Sequence, residues 1–305
     1  MKMIDLGQSG LNASAIALGV MRITKLDLAG ATELLETAHA AGINFFDNAD
    51  IYAGGEAETL FGQALRNASF KREDVLVQSK VGIVPGKRYD FSTQHILDSV
   101  DASLSRLGVD YLDVLLLHRP DALMEPEAVA EAFDTLQNAG KVRQFGVSNC
   151  NPGQVELLNT AVSQHLIANQ LQLSLMHTGM IDAGIHVNMT DDRATNRDGG
   201  ILEYSRLAGM TIQAWSPYQY GFFDGVFIDD PKFPELNAKL QELADQYQTN
   251  KNAIASAWLL RLPGTQVIAG TTNAKRIQQI AEAGDVRLDA QEWYDLYFAA
   301  GNDLP

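Results

Sequence analysis

The sequence predicts an α/β fold, a (β/α)8 TIM barrel with an N-terminal β-hairpin and a C-terminal helix. Strand-like and helix-like segments alternate along almost the whole chain, and eight of the strands each precede a helix. This alternation implies right-handed βαβ units and a parallel sheet. The length of 305 residues agrees, because such a barrel needs about 250 residues plus insertions. We expect one domain over residues 1–305.

A doubly wound sheet is the competing architecture for a chain of alternating strands and helices. That fold normally carries a Gly-x-Gly-x-x-Gly turn after its first strand. This sequence contains no Gly-x-Gly at all, and the pattern therefore favours the barrel.

The individual elements follow from hydrophobic periodicity and from the positions of Gly and Pro. Two short β runs flank a turn rich in Gly and Ser at residues 7–10, and they predict the hairpin. The barrel strands are predicted at residues 15–19, 43–46, 75–78, 111–117, 142–147, 166–170, 211–215 and 266–269. The helices are predicted at residues 31–41, 56–66, 93–107, 126–139, 152–161, 200–207, 235–247, 251–260, 274–283 and 290–299.

Residues 173–199 have no clear periodicity, and they form a longer stretch than most structureless loops in compact domains. Because the segment follows the sixth strand, we expect it to overhang the mouth of the barrel. It is either a functional lid or a plain surface excursion.

The chain is strongly acidic, with 23 Lys and Arg against 38 Asp and Glu and a formal net charge of −15. An acidic surface repels nucleic-acid phosphates, and no run of Lys or Arg overrides it. No apolar run approaches the roughly 20 residues that a membrane helix needs. We therefore expect neither a nucleic-acid partner nor a membrane, and place the chain in the cytoplasm.

A single cysteine, Cys150, excludes an internal disulfide and any multi-cysteine metal site. No other cluster has metal-ligand spacing, so no metal is predicted. Cys150 is either a redox-sensitive thiol or a small buried hydrophobic residue, and the second interpretation is favoured.

Four polar residues stand where three consecutive strands run out. Asp47 and Tyr52 follow the second strand, Lys80 the third and His118 the fourth. In such barrels, residues at the carboxyl ends of strands converge on one pocket. A lysine ammonium beside a phenol is expected to lower its pKa from about 10. Asp47 would orient the lysine, and His118 would donate to a substrate oxygen.

Taken singly, each of these residues has a plainer explanation. A lone Asp at a strand end is most often a helix cap, and a lone Lys there is usually solvated. The other five histidines are expected to be surface residues or satisfied by neighbours. The prediction rests on four complementary groups from adjacent strand ends.

At this point the sequence resembles the aldo-keto reductase family. Residues 46–52 are similar to its Asp/Tyr signature, residues 115–121 to its histidine strand, and residues 140–149 to its Gly-Lys-x-Arg-x-x-Gly-Val-Ser-Asn signature. The resemblance covers essentially the whole chain, and it is to the bacterial, short-tailed oxidoreductases of the family.

The resemblance implies a nicotinamide-dependent reductase that acts on a small carbonyl substrate. Tyr52 would be the general acid, tuned by Lys80 and Asp47, and His118 would help to orient the carbonyl. The residues that it implies for the cofactor are Gly19, Met21, Ser148, Asn149, Gln170, Trp215, Ser216, Pro217, Gly221, Gly270, Thr271, Thr272, Arg276 and Gln279. Within this set, Ser148, Asn149 and Gln170 would hold the carboxamide, and Trp215 would stack on the nicotinamide ring.

The adenine end departs from the family pattern. The family often has Lys-Ser where this chain has Gly270 and Thr271, and an Asn where it has Ile280. Arg276 remains, and a guanidinium suits a 2′-phosphate. We therefore expect NADP(H) rather than NAD(H). Two other functions stay open: a cofactor-sensing subunit on a reductase scaffold, and a Schiff-base lyase that uses Lys80.

Overall fold

The computed structural model describes residues 1–305, and its centre is a closed barrel of eight parallel strands. Each strand pairs with the next along the chain, and the last pairs with the first, with Val267 opposite Ile16. The predicted fold is confirmed. The barrel strands are β1 (Ile16–Gly19), β2 (Phe45–Asp47), β3 (Leu76–Val81), β4 (Leu112–Leu117), β5 (Val142–Ser148), β6 (Leu166–Gln172), β7 (Thr211–Trp215) and β8 (Thr265–Ala269).

Helices surround the barrel and begin at local capping signals. Asp27 caps the first helix by accepting from the Gly30 N–H, so this helix begins three residues before its predicted start. The helices are α1 (Leu28–Ala40), α2 (Glu56–Asn67), α3 (Thr93–Leu107), α4 (Pro126–Asn138), α5 (Pro152–Asn159), α6 (Gly179–Ile185), α7 (Ile201–Leu207), α8 (Pro234–Gln246), α9 (Lys251–Leu260), α10 (Ala274–Ala281) and α11 (Ala290–Ala299). None of them combines the length and the apolar character that crossing a bilayer requires.

The N-terminal hairpin closes the bottom of the barrel, at the amino ends of the strands. Its strands, Met3–Asp5 and Asn12–Ser14, pair antiparallel. Leu6 follows the first of them and belongs to a small apolar cluster inside the barrel. Gly7 donates to the Thr211 hydroxyl at 2.8 Å, and a Cβ there would lie 2.0 Å from the Ile167 carbonyl oxygen. The accessible end of the barrel is therefore at the carboxyl ends of its strands.

Four strands run further than the sequence predicts. β2, β3, β5 and β6 continue through polar residues, so Asp47, Lys80 and Ser148 lie within strands and not after them. Lys80 stands opposite Leu116 in the ladder, and Ser148 opposite Gln170. The predicted strands ended at the first polar residues, but these side chains are buried and find partners there.

The segment 173–199 is ordered, and it contains α6 and a 3-10 turn at Asp192–Ala194. It is held against the C-terminal region: Tyr297 Oη donates to Asp182 at 2.7 Å, and Arg193 Nη2 donates to the Gly301 carbonyl at 2.8 Å. None of its residues lines the large cavity at the carboxyl ends of the barrel strands. The structure therefore favours the surface excursion over the lid.

Two short hairpins at the mouth of the barrel were not predicted. One pairs Ile83–Val84 with Arg88–Tyr89, after β3, and the other pairs Gln219–Tyr220 with Gly225–Val226, after β7. Strands of two residues leave too little periodicity to be read from the sequence.

The contact between α2 and α3 gives a test of the packing. A Cβ on Gly62 would lie 2.1 Å from the Leu107 carbonyl oxygen. Alanine improves helix propensity by about 1 kcal/mol, whereas overpacking against backbone costs about 1–3 kcal/mol or more. We expect Gly62→Ala to lower the free energy of unfolding, measured by urea denaturation.

Gly179→Ala is the matched control, because this helical glycine has nothing within 4 Å of its Cβ position. It should leave stability unchanged or slightly raised. Equal stabilities for the two variants would contradict the close packing of α2 on α3.

Candidate active site

The structure brings Asp47, Tyr52, Lys80 and His118 together at the open end of the barrel. The Lys80 side chain is completely buried, and its ammonium lies 2.7 Å from Asp47 Oδ1. The same ammonium donates to Tyr52 Oη at 3.1 Å and to the Asn48 carbonyl at 2.7 Å. The His118 ring meets the Tyr52 ring edge-on, with centroids 5.9 Å apart. The four predicted side chains therefore form one cluster.

Burial and charge set the protonation of this cluster. Burial works to lower the pKa of Lys80, but the Asp47 carboxylate and the Tyr52 oxygen outweigh it, and the net pKa is raised. Burial raises the pKa of Tyr52 by more than the Lys80 charge lowers it. The expected lowering of the phenol pKa is therefore wrong for this structure, because desolvation of a phenolate dominates. Tyr52 keeps its proton near neutrality.

His118 is neutral in the same pH range. Burial, followed by the charges of Lys80 and Arg119, holds its pKa well below the usual 6.5. Its Nδ1 is buried without a protein partner. A neutral imidazole beside a protonated phenol and an ammonium makes a site with hydrogen-bond donors and no free negative charge. Such a site can stabilise and protonate an oxygen on which negative charge develops.

Asp47 is fixed by groups that the sequence reasoning missed. Its Oδ1 accepts from Gln78 Nε2 at 2.6 Å and from Gln170 Nε2 at 3.0 Å, in addition to the Lys80 ammonium. Gln170 was expected to hold a carboxamide, but its own NH2 group already faces the barrel interior. Only its carbonyl oxygen is left for the cavity. The sequence does not indicate that these amides meet, because Gln78 and Gln170 lie on strands that are not neighbours in the barrel.

A cavity of about 1120 Å³ opens above the cluster and extends to α9 and α10. Every predicted cofactor-binding residue lines it except Gly221, whose carbonyl oxygen instead accepts from Gln172 Nε2 at 2.8 Å. Gly221 lies outside this lining, and its cofactor contact stays a prediction. The lining also includes cations that were not predicted: Arg22, Lys25, Arg119 and Lys251.

Trp215 is oriented from the side of β5. Its Nε1 donates to Asn149 Oδ1 at 3.2 Å, and Asn149 Nδ2 donates to Ser148 Oγ at 2.7 Å. Asn149 and Ser216 both have left-handed φ values, 58° and 51°, a conformation that costs free energy for residues other than glycine. The ends of β5 and β7 thus meet at this aromatic ring.

The distant end of the cavity carries Arg276, exposed on α10. Its Nη1 lies 3.5 Å from Thr271 Oγ1, and Asn273 caps the helix just before it. Gln279 is fixed by a hydrogen bond from Asn252 Nδ2 at 3.2 Å. An exposed guanidinium with neighbouring hydroxyl groups can bind a phosphate.

Cys150 is buried, and burial raises the pKa of its thiol to about 12. A thiol with so little thiolate at neutral pH is a poor nucleophile and reacts slowly with oxidants. The interpretation as a small buried hydrophobic residue is confirmed.

Asp50 lies next to the cluster, where its backbone N–H donates to the Lys80 carbonyl oxygen at 3.1 Å. Burial raises its pKa from 3.8 to about 7, and the charge of Glu58 adds to the rise. Its Oδ1 is buried without a hydrogen-bond partner. Glu58, by contrast, is satisfied, because it accepts from Ser79 Oγ at 2.6 Å and pairs with Arg106 at 2.7 Å. Asp50 therefore resists ionisation.

This pKa makes stability depend on pH. A carboxyl group whose folded pKa is raised stabilises the fold below its unfolded pKa of about 4, and the contribution is lost as pH rises through about 7. Asp50→Asn should therefore be more stable than the parent by about 2 kcal/mol above pH 8, allowing for water at its exposed side. The advantage should shrink as pH falls towards 5. Urea unfolding at several pH values measures it, and a pH-independent difference would contradict the assignment.

Comparison with known proteins agrees with this geometry. The model of the Aldo/keto reductase family matches residues 15–297. A 6-dehydroglucose reductase of Agrobacterium fabrum is 36% identical over 95% of each chain. Oxidoreductase YdhF of Escherichia coli is 32% identical over 99% of each chain. A probable voltage-gated potassium channel subunit beta of Arabidopsis thaliana is 30% identical over 92% of this chain and 90% of its own.

Among solved structures, the thermostable aldo-keto reductase Tm1743, crystallised with the inhibitor epalrestat, superposes with a TM-score of 0.80. It is 25% identical, and the match covers 98% of this chain and 100% of that one. The chain therefore belongs to the aldo/keto reductase family of oxidoreductases.

Proposed function

We propose that the protein reduces small aldehydes or ketones to alcohols with NADPH, and that Tyr52 donates the proton. NADPH supplies the hydride when bound. The observation that carries the proposal is the fully buried Lys80, which touches both Asp47 and Tyr52. In this proposal residues 1–305 form one domain. The proposed location is the cytoplasm, because a single buried cysteine suits a reducing compartment.

Each of the four side chains has a distinct task. Tyr52 holds its proton until a substrate oxygen gains negative charge, because burial keeps its pKa high. Lys80 stabilises the phenolate that remains after the transfer, at a distance of 3.1 Å. Asp47 holds the ammonium in place, and neutral His118 offers a hydrogen bond to the substrate oxygen. General-acid catalysis of this kind contributes about 10²–10⁴ in rate.

The cavity fits a dinucleotide. It runs from the cluster to Arg276, and its aromatic ring Trp215 is held by Asn149 at one end. Gln170 and Ser148 offer polar atoms beside that ring. Thr271 and Arg276 offer a hydroxyl and a guanidinium to a 2′-phosphate, which supports NADP(H) over NAD(H).

Hydroxyl-rich aldehydes are the first substrates to test. The relative from Agrobacterium fabrum is named a 6-dehydroglucose reductase, and the cavity carries hydrogen-bond donors such as Arg22 and Arg119 near its aromatic residues. Guanidinium groups can donate to several oxygens at once.

A cofactor-sensing subunit is the second candidate, because relatives include proteins named potassium channel subunit beta. The complete cluster at Asp47, Tyr52, Lys80 and His118 favours turnover. A Schiff-base lyase is disfavoured, since the raised pKa of Lys80 keeps its amine protonated and unable to attack a carbonyl.

Replacement of the phenol tests the chemistry. We expect Tyr52→Phe to lower kcat for carbonyl reduction by about 10²–10⁴. NADPH should still quench the tryptophan fluorescence in this variant, because every other residue that lines the cavity is kept. NADPH oxidation with an aldehyde panel measures the first effect. Equal rates for the variant and the parent, with tight NADPH binding in both, would instead support the sensing role.

Cofactor choice has its own test. Arg276→Met should raise KM for NADPH about 10–100-fold, since a hydrogen bond to a charged group is worth about 1.5–3 kcal/mol. KM for NADH should change little. Lys275→Met is the matched control, because this neighbouring exposed cation does not line the cavity. An equal change for both cofactors would show that Arg276 does not read the 2′-phosphate.

A further inference from the structure

Four buried glutamines connect the floor of the barrel to Asp47. We call them the glutamine chain: Gln78 on β3, Gln170 on β6, Gln213 on β7 and Gln266 on β8. Gln170 is 3% exposed and the other three are 0% exposed. Buried amides cost free energy unless they are hydrogen-bonded, so the partners of each one matter.

The lower end of the chain is a backbone carbonyl. Gln266 Nε2 donates to the Ser14 oxygen at 2.8 Å, beside the N-terminal hairpin. Its own oxygen therefore faces inward, where it accepts from Gln213 Nε2 at 2.9 Å.

The middle of the chain is a reciprocal pair of amides. Gln213 Nε2 donates to Gln78 Oε1 at 3.1 Å, and Gln78 Nε2 donates back to Gln213 Oε1 at 2.9 Å. Gln213 Oε1 also accepts from Gln170 Nε2 at 3.2 Å. Gln213 thus forms hydrogen bonds with all three of the other glutamines.

The upper end is the carboxylate. Gln78 and Gln170 both donate to Asp47 Oδ1, the same oxygen that meets the Lys80 ammonium. A carboxylate and a backbone carbonyl are acceptors only. If Gln213 turned its amide over, its NH2 would face the NH2 groups of Gln78 and Gln170. The two acceptor-only ends therefore fix the direction of every amide between them.

We propose that Gln213 is a positioning residue for the reduction: it orients Gln78 and Gln170 so that both donate to Asp47. Asp47 is then held against Lys80, and Lys80 against Tyr52. The proposal rests on the proposed function, because it acts through the Tyr52 proton transfer. Gln78, Gln213 and Gln266 do not line the cavity. Any effect of Gln213 on turnover must therefore pass through its neighbours.

Simple core filling explains these residues less well. Other positions inside the barrel are apolar, among them Ala17, Phe45 and Ile268, and apolar side chains would fill the space without any demand for partners. A network of buried amides stabilises a protein only when every amide group in it is hydrogen-bonded. Here the surplus donors converge on one carboxylate.

The test compares Gln213→Met with Gln266→Met in the full-length protein, because methionine keeps the volume and removes the amide. Gln213→Met leaves Gln78 and Gln170 free to turn away from Asp47. We expect kcat to fall at least tenfold with KM for the carbonyl substrate changed less than threefold. Because Gln213 does not line the cavity, the loss should appear in kcat and not in the binding of substrate.

Gln266→Met keeps the Gln78–Gln213 pair and both donors to Asp47, so kcat should fall no more than threefold. Both positions are completely buried, and a merely structural role would lower stability in both variants without separating their kcat values. Equal losses of kcat in the two variants, or a loss in Gln213→Met that appears mainly in KM, would overturn the proposal.

Gln78→Met is the second variant, in case Gln213→Met does not fold. It removes a donor to Asp47 directly and should lower kcat with little change in KM, as Gln213→Met does. Tyr52→Phe separates the two hypotheses. If Tyr52→Phe is inactive while Gln78→Met and Gln213→Met keep the parent kcat, only the positioning role fails. If Tyr52→Phe retains full turnover, the proposed function itself fails.

Discussion

The buried ammonium of Lys80 is the constraint on which the site depends. A charge taken out of water needs a close counter-charge and further hydrogen bonds. Asp47 supplies the counter-charge, while the Asn48 carbonyl and the Tyr52 hydroxyl take the remaining two protons. Because all three ammonium protons are used, the lysine has one position, and the phenol is held beside it.

This arrangement reaches down to the floor of the barrel. The carboxylate that pairs with Lys80 also accepts from two glutamines, and the chain of amides ends at the Ser14 carbonyl beside the hairpin. The hairpin is fixed in turn by Gly7, which has no room for a Cβ. Parts of the chain that never touch a ligand thus share one polar network with the proton donor.

The electrostatics of the cavity oppose those of the whole chain. The protein has a net charge of −15, yet the cavity presents Arg22, Arg119 and Arg276. The one carboxylate in the catalytic cluster is neutralised by Lys80, and His118 is neutral. A local field of this sign attracts anionic ligands even on an acidic protein, and it stabilises oxygen that gains negative charge.

The sequence by itself determined the barrel, the order of its strands and the four clustered side chains. Periodicity and chain order suffice there, because parallel strands bring their carboxyl ends to one edge. It misjudged where β3 and β5 end, the order within 173–199 and the pKa of Tyr52. It also gave no sign of the network around Asp47. Those features depend on which side chains meet across the closed barrel and on how much water is left between them. Gln78 and Gln213 are 135 positions apart, and only the tertiary structure decides that their amides pair and that the phenol is buried.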